Sequence, residues 1–129
     1  MNARSLYQRV LIEADLSDLA IARRATGAVL HALRDRLTPE EADQAVAQLP
    51  TDLKVLWRAG QPGERRPVKM RRPEFYERVR KEADLPSTRE ARAVTGAVFA
   101  ALKEQLSPGE ADDIVAQLPR DMKEVWQAA

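Results

Sequence analysis

The chain has 129 residues, enough for one compact domain or for two small ones. It is 44% hydrophobic and 32% charged, which excludes intrinsic disorder, and only 5% aromatic, so Leu, Val, Ile and Ala must build its core. Cysteine is absent, which removes disulfides, thiolate catalysis and thiolate metal sites and fits a reducing compartment. The net charge of +1 is unevenly spread: residues 1–60 balance eight basic against eight acidic side chains, 61–73 hold five basic and one acidic, and 74–129 hold eight basic and eleven acidic.

The first residues, MNARSLYQRVLIEADL, carry acids and lack a long apolar stretch, so they do not read as a secretory signal. No apolar run approaches the ~20 residues that cross a bilayer. A cytoplasmic chain without membrane insertion is expected. In Leu6–Ala14, Leu6, Val10 and Ala14 stand one turn apart and predict a first helix. Asp15-Leu16-Ser17 breaks it. A long helix follows over Asp18–Arg36, with Ala22, Thr26, Val29 and Leu33 on its inward face. Thr38-Pro39-Glu40-Glu41 then starts a third helix, with an N-cap hydroxyl, Pro at N1 and Glu at N3 in the capping-box order. Pro50 ends it, because the residue before proline is pushed out of the α region, and opens a short fourth helix, TDLKVLW.

The same succession then recurs. A shift of 69 positions aligns Tyr7–Trp57 with Tyr76–Trp126 without a gap, and about 28 of those 51 positions are identical. EADL, TGAV, EAD and VAQLP return as blocks, and the second copy reads Phe75, Val79, Ala83, then Thr88–Gln105, then Ser107-Pro108-Gly109-Glu110, then RDMKEVW. The expectation is an all-α protein of two tandem four-helix units, about eight helices, related by internal duplication and packed with pseudo-two-fold symmetry. Residues 1–59 form the first unit, 60–73 a Pro- and Arg-rich basic linker, and 74–129 the second.

Catalytic groups are scarce. His31 is the only histidine, its counterpart is Ala100, and no serine lies near it along its helix. Neither a His-rich zinc site nor an ExxH di-iron site can be built from one histidine. The acidic clusters Glu40-Glu41-Asp43 and Glu110-Asp112-Asp113 would suit a carboxylate metal site, but each opens a helix, where acids are favoured for capping and dipole reasons. Within one helix Glu41 and Asp43 diverge. They are therefore read as caps, and neither a metal nor a cofactor is expected. Gly27 and Gly96, mid-helix, each cost about 1 kcal/mol against alanine, which a close helix crossing would offset. There the hydroxyls of Thr26 and Thr95 return to the carbonyls of Ala22 and Ala91. Gln48-Leu49-Pro50 and Gln117-Leu118-Pro119 are helix breaks whose glutamines satisfy frayed carbonyls, and Trp57 and Trp126 anchor the last helices.

Two features are less ordinary. Arg65, Arg66, Lys69, Arg71 and Arg72 form a candidate anion-binding arm, whose phosphate contacts would be salt-dependent. In the first copy Leu11, Ile12, Leu19, Ile21 and Val55 stand where the second carries Arg80, Lys81, Thr88, Glu90 and Glu124. Apolar side chains beyond those the core needs mark a candidate partner interface.

The early Tyr/Phe helix, the EADL stretch, the ATGAVL helix, the LTPEEA start and the AQLP break together resemble the bacterial family known as domain of unknown function 2267. The resemblance covers nearly the whole chain, twice over, and implies a compact helical fold but no activity. The resulting expectation is a non-enzymatic interaction or scaffold module that binds a protein partner or itself; the alternative is nucleic-acid or anionic-surface binding through the basic linker.

Overall fold

A computed structural model describes residues 2–129, which form eight α-helices and no strand. In chain order they are α1 (Ala3–Glu13), α2 (Leu19–Arg36), α3 (Pro39–Ala47), α4 (Thr51–Arg58), α5 (Arg72–Ala83), α6 (Thr88–Gln105), α7 (Pro108–Ala116) and α8 (Arg120–Ala128). Both long helices have 18 residues, and both helices that begin with proline have nine.

Local chemistry accounts for the boundaries. Asn2 and Ser5 form a reciprocal capping box on α1, and Asp18 caps α2 by accepting the Ile21 amide at 2.9 Å. Asp15 and Asp84 take the left-handed conformation at the ends of α1 and α5, φ 52° and 53°, which Asp tolerates better than most side chains. Thr26 and Thr95 bond back to the carbonyls of Ala22 and Ala91, both at 2.7 Å.

The halves share one continuous core. Helix α2 packs on α5 as well as on its own α1 and α4, and α1 reciprocally packs on α6. Burial of α2 is correspondingly almost unbroken from Ala25 to Asp35. A helix covered on every side needs small residues, and Ala22, Ala25, Ala28 and Ala32 supply them. Trp57, Phe75 and Phe99 are fully buried; Phe99 lies between Phe75 and Trp126, with ring centroids 5.9 and 5.0 Å away. Both tryptophans are thus core side chains. None of the described helices is long and apolar enough to cross a membrane.

Candidate functional site

The basic linker is fastened to the fold at both ends. Arg65 donates to the carbonyls of Arg34, Asp35 and Leu37, closing the C-terminus of α2, and the Val68 amide also donates to Asp35 O at 2.8 Å. Met70 is buried. The Arg72 amide donates to Asp121 Oδ2, and its guanidinium reaches Asp121 O and Glu124 Oε2. Arg71 lies 3.7 Å from Asp121. Of the five linker cations, Arg66 and Lys69 remain exposed without an ion-pair partner among the described residues.

The five apolar positions peculiar to the first half divide. Leu11 and Ile21 are half-buried against the core. Ile12 and Val55 are 74% and 66% exposed, on α1 and α4, and Leu19 is exposed at the start of α2.

His31 is held on both sides: Nδ1 lies 2.7 Å from Glu82 Oε2 and Nε2 lies 2.7 Å from Leu56 O. Burial raises the Glu82 carboxyl, but the hydrogen bond and charge of His31 outweigh it and hold the group below its ordinary value. The histidine is therefore a strut between the halves. Leu56 in turn lies over Gly27, where a Cβ would sit 3.0 Å from Leu56 Cδ1. The glycine thus admits a side chain, not a second backbone. At Gly96 a Cβ would meet nothing within 4 Å; Val125 and Ala100 replace Leu56 and His31 there, and a cleft of about 310 Å³ opens beside Tyr76 and Arg92.

The most concentrated chemistry lies where α3 meets α7. Thr38 and Ser107 cap these helices as expected, accepting the amides of Glu41 and Glu110 at 3.2 Å. The reciprocal half of each capping box comes from elsewhere. Gln117 Oε1 accepts the Thr38 amide at 2.9 Å, and Gln48 Oε1 accepts the Ser107 amide at 2.8 Å. Each glutamine also donates through Nε2 to the capping hydroxyl of the opposite half. The glutamines before Pro50 and Pro119 therefore clasp the other half's helix start instead of their own frayed carbonyls.

That exchange releases the two glutamates from capping. Oxygens of Glu41, Glu110 and Asp113 all lie within 4.8 Å of one another. Glu41 and Glu110 are each only 7% exposed, and Oε1 of each is buried without a hydrogen-bond partner among the described residues. Burial pushes the Glu110 carboxyl up to about 8, and the hydrogen bond and charge of Glu41 and the charge of Asp113 act in the same direction. The sequence reading assigned these acids to local caps and missed this meeting. Its only signal was the double occurrence of an N-cap hydroxyl with N3 Glu and of a glutamine at the following break, which together allow the exchange.

This arrangement sits in a helical chain that belongs to an uncharacterized family. The uncharacterized conserved protein family DUF2267 matches it over residues 3–125, so the chain is a member, and that match runs across both halves. No curated protein matches the chain.

Proposed function

We propose that the chain is a non-enzymatic helical interaction module, built by tandem duplication, that binds a protein partner or a second copy of itself through the apolar side chains of its first half. The observation that carries this reading is the exposure of Ile12 and Val55, 74% and 66%, beside a core already complete without them. The second half carries Lys81 and Glu124 at the corresponding positions, so the fold does not require apolar groups there.

Those counterparts supply the test. Ile12→Lys and Val55→Glu together should leave thermal stability within about 0.5 kcal/mol of the parent, as surface changes do. They should abolish dimerisation in light scattering or the capture of a partner by the purified chain. Association that survives both substitutions overturns the reading. Leu11 and Ile21 are the contrasting pair: polar substitution there costs stability, because both lie against the core.

Phosphate binding through the linker rests on Arg66 and Lys69, the linker cations without a partner among the described residues. Two phosphate contacts would give a slope of about −1.8 in log K against log salt on duplex DNA, a weak, non-specific interaction.

A further inference from the structure

Buried carboxylates ordinarily find a cation, a set of donors, or a proton. In the α3–α7 seam each of Glu41 and Glu110 keeps a buried Oε1 without a hydrogen-bond partner among the described residues, and the third group beside them, Asp113, is another acid. Their backbone neighbours are already satisfied, because Gln48 and Gln117 occupy the N-cap amides that an N3 glutamate would otherwise reach. One carboxylate oxygen from each glutamate lies within 4.8 Å of the other and of one from Asp113, which is exposed.

We propose that this seam binds one hard divalent cation, of the Mg²⁺, Mn²⁺ or Ca²⁺ class, through the carboxylates of Glu41, Glu110 and Asp113. The donor set is all oxygen, which selects this class over thiophilic metals. Asp113 is exposed, so the outer side of the ion keeps the water ligands that such cations retain. Glu41 belongs to α3 and the other two ligands to α7, so the cation ties the halves together where the glutamine clasp already joins them. The first half has Gln44 where the second has Asp113, which makes the ligand set one-sided.

The test uses the full chain, treated with a chelator and then titrated separately with Mg²⁺, Mn²⁺ and Ca²⁺ by calorimetry, with thermal melts alongside. Saturable one-to-one binding is expected for at least one of the three. A cation at a hundred times its Kd should lower the unfolding equilibrium constant on the order of 100-fold and raise the melting temperature accordingly. Asp113→Asn, an exposed change, and Glu110→Gln, which keeps the side chain's shape, should each weaken binding at least tenfold. In chelator, Glu110→Gln should melt no lower than the parent, because the amide keeps the side chain's shape and brings no like charge beside Glu41. Failure of all three cations to bind overturns the proposal and leaves a carboxyl pair that shares a proton. Binding undiminished in both variants overturns it equally, since the ion would then sit elsewhere.

Discussion

The ends of α2 and α6 carry the same ion pair in two environments. Arg78 of α5 pairs with Asp35 of α2, and at the corresponding positions Arg9 of α1 pairs with Glu104 of α6. The Asp35 side chain is 10% exposed and also takes the guanidinium of Arg34, which is buried and donates as well to the carbonyls of Trp57 and Ala59. The Glu104 side chain is 68% exposed, and Lys103, the counterpart of Arg34, reaches only the carbonyls of Trp126 and Ala129. Identical register therefore does not mean identical energetics. Burial decides which of the two pairs the fold depends on.

The largest test of that contrast is Asp35→Asn. It strands Arg34 and Arg78 beside a neutral partner and should cost about 3–5 kcal/mol in chemical denaturation. Burial raises the Asp35 carboxyl, but the hydrogen bonds and charges of Arg34 and Arg78 outweigh it and hold the group below its ordinary value. Its contribution is therefore complete above the unfolded carboxyl's pKa of about 3.9 and is lost as pH falls through the lower folded value. Acid titration should show that loss in the parent and not in the variant. A variant that melts like the parent would break the comparison.

A smaller effect separates the glutamines. Gln48→Ala or Gln117→Ala removes two bonds across the halves and leaves an N-cap amide without its acceptor, for about 1–2 kcal/mol each. The double variant should lose less than the sum if each clasp serves only while the halves are joined, and a double-mutant cycle measures this.

Smaller still is the glycine pair. Gly96→Ala should stabilise by about 0.5–1 kcal/mol, because its Cβ enters open space and the helix gains propensity. Gly27→Ala should gain less, because Leu56 must shift to admit the new methyl. Equal gains at both positions would show that Leu56 moves freely. Smallest of all, Glu104→Gln should change stability by under about 1 kcal/mol, as an exposed pair implies.

The helices were legible because their signals are local. Prolines at 39, 50, 108 and 119, capping hydroxyls at 38 and 107, and the one-turn spacing of Leu6 and Val10 act within a few residues. The seam was not legible for the opposite reason. The bond from Thr38 to Gln117 spans 79 positions, and Glu41 and Glu110 lie in separate helices, α3 and α7, so a reading confined to one helix assigns both glutamates to caps. The contacts of the linker were out of sight in the same way. The positions of Arg65, Arg71 and Arg72 are set by carbonyls and acids that lie apart from them in sequence.

The crossed glutamines also give the molecule two natural reporters. The amides of Thr38 and Ser107 are bonded across the halves, not within their own helices. Fraying of α3 or α7 alone leaves those two protons protected only if the clasp holds, whereas separation of the halves exposes both together. Their deuterium exchange should thus keep pace with each other and with the deepest amides of α2, even though both lie at helix ends where exchange is ordinarily fast.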